Sequence, residues 1–298
     1  MSGHGMSLAE EKIRHLRIWE GAVEVEPLDG GMTNENFLVT DRGRRFVVRL
    51  GGDIPVHHVI RSNELAASRA AEAVGVSPAV IYHEPGVLVL DHIAGRTLAP
   101  EDLGDPLTLP RVISLVRTSH QQIPRHLQGP AQIFWVFHVL RDYARLLQAE
   151  DSPFKNRIED FLTIVTQTEA LSGPYDVVFA HNDLLAANFM DDGARLWLID
   201  WEYAGFNTPL FDLSGMAANN GLSDMQQKEM LEIYFDVSLN DELWRRYQAM
   251  KMAALLREVM WSMVSELHSA LDFDYSNYTQ DSLYRFEAAY EGFSRDYI

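Results

Sequence analysis

Apolar and polar positions alternate along the first third of the chain and then change period. Residues 22–28, 36–40 and 44–50 carry β-branched and aromatic side chains between turn signals at Asp29-Gly30-Gly31 and Asp41-Arg42-Gly43, a pattern that predicts an antiparallel β-meander. Residues 61–74 are rich in Glu and Ala and stop at Gly75, with Pro78 beyond, so a helix is expected there. Residues 79–82 and 87–90 return to strand. A short polar passage, Asp91 to Arg96, follows, and beyond it most of the sequence has helical period. Short strands at 177–179 and 194–199 interrupt the helices, which resume near Met225. The expected fold class is α+β, in two lobes: residues 1–93, a sheet with one helix, and residues 94–298, larger and mostly helical.

Composition narrows the classes of function. A chain of 298 residues that is 47% hydrophobic can bury a sizeable core. It has no cysteine, which excludes disulfides and thiolate metal sites and fits a reducing, cytoplasmic setting. No run of about 18 apolar residues is long enough to span a bilayer, and the first residues lack the pattern of a signal peptide, so no membrane partner is expected. The net charge of -18 repels polyanions and excludes nucleic acid as a natural partner. The sequence carries no signal for an oligomeric state.

The strongest chemical signal is His181-Asn182-Asp183-Leu184-Leu185-Ala186-Ala187-Asn188, followed by Ile199-Asp200. Asp191-Asp192-Gly193 is a turn signal, and a hairpin closed there brings Asn188 and Asp200 together at its open end. Two hard oxygen ligands completed by phosphate oxygens suit magnesium bound to a nucleotide. Asp183, on the preceding loop, is placed to accept a hydroxyl proton as catalytic base. His181 is read as orienting the loop. Taken singly these are ordinary turn residues; a His-x-Asp-x4-Asn element with a following Ile-Asp resembles the catalytic and metal-binding loops of protein-kinase-like folds. Upstream, the glycine turn with Gly31, Thr33, Asn34 and Asn36 can bring backbone amides close to phosphates. Arg49 at a strand end and Glu64 in the next helix stand in the order of a kinase's phosphate-binding cation and its helix carboxylate.

The acceptor side is read from the C-terminal helices. Leu255, Val259, Met263 and Leu267 recur every fourth residue as a core stripe, while Trp261 shares the other face with Glu258, Ser265 and His268. An indole among polar groups, followed by Phe273, Tyr275 and Tyr278 near carboxylates, suits an aromatic site for an ammonium group.

These segments, together with Val47 to Leu50, Ile199 to Tyr203 and Phe211-Asp212-Leu213, resemble the choline and ethanolamine kinase family of the aminoglycoside phosphotransferase-like superfamily. The resemblance implies a bilobed protein-kinase-like fold with ATP between the lobes and Mg2+ on Asn188 and Asp200. It also implies that the backbone from Asp91 to Ile93 addresses adenine. Glu202, Tyr203, Trp261, Phe273 and Tyr278 would contact the ammonium end of a small cationic alcohol, with choline or ethanolamine expected. Gly215, Asn219 and Glu258 depart from the family pattern on the acceptor side. An aminoglycoside or thiamine-type acceptor, or a silent nucleotide- or cation-binding protein, are the alternative readings.

Overall fold

The computed structural model describes residues 7–28, 33–150, 152–269, 271 and 273–298. Five strands form the first sheet: β1 (Glu24–Leu28), β2 (Glu35–Asp41), β3 (Arg44–Leu50), β4 (Val80–Glu84) and β5 (Val87–Asp91). Arg42 and Gly43 close the β2–β3 hairpin with positive φ at both positions, the geometry that suits the strand twist, and Asp41 faces Arg44 across it. The meander holds through β3. Helix α2 (Arg61–Val74) then intervenes, so β3 pairs with β5 and β4 lies outside, in the order β1-β2-β3-β5-β4.

Period-two side chains give this sheet two unlike faces. Phe37, Val39, Phe46, Val48, Val87 and Val89 pack on one side with Ile13, Leu16 and Val23, so α1 (Leu8–Arg14) and the chain after it cover that face. Val47 and Arg49 point the other way, into a cleft. Helix α2 ends at Gly75 in the left-handed conformation. Its small residues Ala67, Ala70 and Ala71 belong to the larger core that fills the rest of the molecule.

A two-residue strand, β6 (Arg96–Thr97), leads away from the sheet and through α3 (Pro100–Leu103) into α4 (Leu109–Gln122), α5 (Val136–Ala149) and α6 (Ile158–Ser172). Next come β7 (Val178–Ala180), the hairpin β8 (Phe189–Asp191) and β9 (Leu196–Leu198), and β10 (Gly205–Asn207), which pairs with β7. Four helices complete the chain: α7 (Pro209–Asn219), α8 (Asp224–Phe235), α9 (Asp241–His268) and α10 (Tyr275–Tyr297). Among the described residues no helix is long and apolar enough to cross a membrane.

Helix α9 departs from the two-faced expectation. Leu255, Val259 and Met263 are buried, but Leu267 is 37% exposed, and Glu258, Trp261 and Ser265 on the opposite side are buried as well. The cause is its position: α9 packs against α5, α6, α7 and α10, leaving no solvent face over its middle.

Candidate active site

The site grows from the loop after β7. His181 N and Asn182 N donate to the two carboxylate oxygens of Asp212 at 2.8 and 2.6 Å, and Asp212 is itself held by His120 Nε2 at 2.8 Å. This clamp fixes a strained backbone, for Asn182 has φ of 66°. The Asn182 side chain donates to the Tyr203 carbonyl and accepts from Asn207. His181 is buried, and burial lowers its pKa, so its neutral ring donates from Nε2 to the Ile199 carbonyl at 2.9 Å. It ties the loop to the strand before Asp200.

The hairpin forms as expected, Phe189 facing Leu198 and Asp191 facing Leu196. Ile199 N donates to the Asn188 carbonyl at 2.9 Å, so Asn188 and Asp200 stand side by side at the open end. Asn188 Nδ2 donates to the Asp183 carbonyl at 2.8 Å and approaches its carboxylate at 3.4 Å, which turns the amide nitrogen away and leaves Oδ1 for another partner. Asp200 has φ of 72°. These oxygens fit magnesium held partly by phosphate, and no cluster of three or more metal-binding acids or histidines occurs among the described residues, so an all-protein cage is not what this site offers. Burial pushes the Asp183 carboxyl up to about 8; nearby Arg257 opposes the shift, while Glu258, Asp200 and Glu202 add to it.

Arg49 meets Glu64 at 3.2 Å, Asp200 at 2.7 Å and Glu202 at 3.6 Å. Burial works against its charge, but the three carboxylates outweigh it and keep the guanidinium ionised. The β2–β3 register sets Asn36 opposite Arg49. A second cation, Arg61, has no distinguishing mark in the sequence beyond its place in the first turn of α2; it bonds Glu64 at 2.7 Å and Glu202 at 3.0 Å. Thr33 Oγ1 and Asn34 Nδ2 also donate to Glu202. The structure therefore joins Thr33, Asn34 and Glu202, which the sequence reading divides between nucleotide and acceptor. Gly31 lies outside the described residues.

Two cavities meet at Asp200 and Asn188. The larger, about 410 Å³, is lined by Val47, Leu90, Ile93, Met190 and Ile199, with Asp91, His92 and Arg49 at its border. The smaller, about 150 Å³, is lined by Asp183, Glu202, Tyr203, Arg257, Glu258 and Trp261. Trp261 Nε1 donates to Tyr203 Oη at 3.0 Å, and Tyr278 Oη donates to Glu258 at 2.5 Å. Tyr278 stands 6.3 Å from the Trp261 ring and 5.8 Å from Phe273, which is 42% exposed at the rim. The aromatics gather as expected, yet not as an open cage. The His57 ring lies 5.2 Å from Trp261, and the Arg257 guanidinium sits 4.7 Å over Tyr203. Arg257 is the residue that sequence reasoning missed on this side, since nothing in its neighbours marks it. Beside Asp183, Gly215, Asn219, Arg257 and Glu258 line one narrow cleft.

An antiparallel sheet lobe over a helical body, with this loop and hairpin at the cleft, defines a protein-kinase-like phosphotransferase that acts on alcohol acceptors. The family model "Choline/ethanolamine kinase" matches residues 25–241. The chain belongs to the choline/ethanolamine kinase family. It is 25% identical to protein LicA of Haemophilus influenzae over 88% of this chain and 78% of that one. It is 27% identical to a probable ethanolamine kinase of Arabidopsis thaliana over 85% and 76%. A solved choline/ethanolamine kinase family protein from Mesorhizobium loti superposes with a TM-score of 0.76 at 26% identity, covering 96% of each chain.

Proposed function

We propose that the protein transfers the γ-phosphoryl group of ATP to the hydroxyl of a small amino alcohol of the choline or ethanolamine kind, with Asp183 as base. The observation that carries this reading is the meeting of Asp183, Asn188 and Asp200 where the two cavities join. The 410 Å³ cavity is of the size that ligand pockets usually have, and its apolar walls suit a purine. Asn188 and Asp200 would hold Mg2+, which supplies charge neutralisation of the phosphates. Arg49, fixed by Glu64, would face the same phosphates. The acceptor oxygen bonds to the γ-phosphorus, its proton passes to the Asp183 carboxylate, and the bond from that phosphorus to the bridging oxygen breaks, leaving a phosphomonoester and ADP. A carboxyl with a pKa near 8 is matched to accepting a proton in the neutral range.

The size of the smaller cavity, about 150 Å³ against the roughly 300 Å³ at which drug-sized pockets begin, favours small acceptors over aminosugars of several rings. ADP release with magnesium and ATP, across choline, ethanolamine, thiamine and kanamycin, tests the reading. An amino alcohol should stimulate turnover, and Asp183→Asn should lower kcat by about 10²–10⁴-fold while Mg-ADP still binds. Turnover with none of these or of their close analogues, or an unchanged Asp183→Asn variant, refutes it.

A further inference from the structure

The smaller cavity has a larger neighbour. Trp261 stands in the wall of the 150 Å³ cavity beside Asp183. A second space of about 300 Å³, lined by Leu50, Ile54, Val56, His57, Ser265 and Tyr275, takes no part in the transfer described above. Thr33 borders both, so the partition between them is thin. It is made of two rings: His57 on the side of the larger cavity and Trp261 on that of the smaller, with centroids 5.2 Å apart and planes 34° from parallel.

His57 comes from the sheet lobe, at the end of a single 3₁₀ turn, Pro55–His57, yet its ring is inserted between α5 and α9 and is 4% exposed. Nδ1 pairs with Tyr143 Oη at 3.2 Å and Nε2 with Ser265 Oγ at 3.0 Å. Burial, with Arg257 nearby, lowers its pKa to about 3, so the ring is neutral and offers one donor and one acceptor, which the two hydroxyls match. An apolar side chain would fill the same gap; bonds at both nitrogens also fix the plane of the ring. The indole is held in turn at its edge, where Nε1 donates to Tyr203 Oη at 3.0 Å, and His57 keeps it from moving toward the larger cavity.

We propose that the His57–Trp261 stack sets how large an acceptor the site admits. His57 is a positioning residue that holds the indole in place; without it the smaller cavity opens toward the larger one, with room for an apolar substituent on the nitrogen of the acceptor. The proposal rests on the kinase reading above and deepens it. The test pairs the amino alcohol that the wild type prefers, ethanolamine or choline, with its N-benzyl analogue, each with ATP and magnesium. The wild type should favour the parent amine in kcat/KM by about tenfold or more, and His57→Ala should reduce that preference by about tenfold, chiefly through the KM of the benzyl compound, because an apolar space left by truncation can take an apolar group. His57→Phe, which restores a ring of similar size, should return the preference to within about threefold of the wild type. Trp261→Leu removes the indole itself and carries the test should His57→Ala fail to fold; retained Mg-ADP affinity marks the folded variants.

A wild type that takes the benzyl compound as readily as the parent amine, or a preference unchanged in His57→Ala and Trp261→Leu, overturns the partition and leaves the kinase reading standing. An equal loss on both acceptors in His57→Ala also overturns it, assigning His57 to packing alone. Turnover of no acceptor by the wild type overturns the kinase reading; the partition is then decided by the Kd of the same amines, measured by calorimetry with Mg-ADP bound.

Discussion

As the proposed base, Asp183 joins two demands that conflict at the level of a single residue: a base must be able to ionise, and burial among carboxylates resists it. Its pKa, raised from 3.8 to about 8, means the folded chain holds a proton that the unfolded chain has lost over that interval. The stability this contributes is full below pH 4 and is lost as pH rises through 8. Asp183→Asn, neutral throughout, should therefore unfold at higher denaturant than the wild type, by a margin that grows between pH 5 and pH 8.5 in EDTA. Parallel stability curves would contradict this. His57 titrates in the opposite sense. Burial, with Arg257 nearby, lowers it from 6.5 to about 3, so stability present above pH 6.5 is lost on acidification. Wild-type stability should fall by about 2 kcal/mol at most from this group between pH 6.5 and 5, and His57→Gln should show a flatter slope in denaturant titrations at those two values. Asp183, Asn188 and Asp200 were legible because their spacing is local to one loop and hairpin. Arg257 was not, because a lone arginine in a helix reads the same whether it meets solvent or a cavity; only the packing of α9 against Tyr203 distinguishes them.

Elements matter here chiefly through how closely they approach. Gly95, just before β6, lies so near β8 that an added Cβ would stand 2.6 Å from the Asp191 carbonyl oxygen and 2.9 Å from its carbon. Backbone cannot yield as a side-chain tip does. Gly95→Ala should cost about 1–3 kcal/mol and shift the Asp91–Ile93 segment, weakening Mg-ADP binding in calorimetry. Gly215→Ala in α7, where nothing lies within 4 Å, should instead gain about 0.5–1 kcal/mol; a loss of similar size in both would remove the steric argument. Strands 44–50 and helix 61–74 are readable from their periods and their glycine stops, since those signals are written in neighbouring residues. The β3–β5 pairing and the burial of α9 on every side come from partners distant in sequence, which no local period encodes.

Across the whole molecule, the cavity proposed for the nucleotide is walled by both the sheet and the β8–β9 hairpin, so a ligand there would tie the two cores together. Mg-ATP at about 100 times its Kd should add about 2.7 kcal/mol, seen as a rise of several degrees in Tm. EDTA should remove most of it, and Asp200→Asn should lose the metal-dependent part; a shift indifferent to both would argue against metal at Asn188 and Asp200. The sequence by itself determined the kind of chemistry and the order of the parts proposed for it, because the strand cation Arg49, the Asp183 to Asn188 loop and Asp200 sit in short motifs whose local geometry hardly depends on context. Tertiary structure alone decided what surrounds them. It brought Arg61 and Arg49 onto Glu202, seated Arg257 over Tyr203 at the smaller cavity, and buried Trp261 beside His57. The reason is physical: a charged side chain's role depends on which distant groups pay its desolvation, and those groups are chosen by packing.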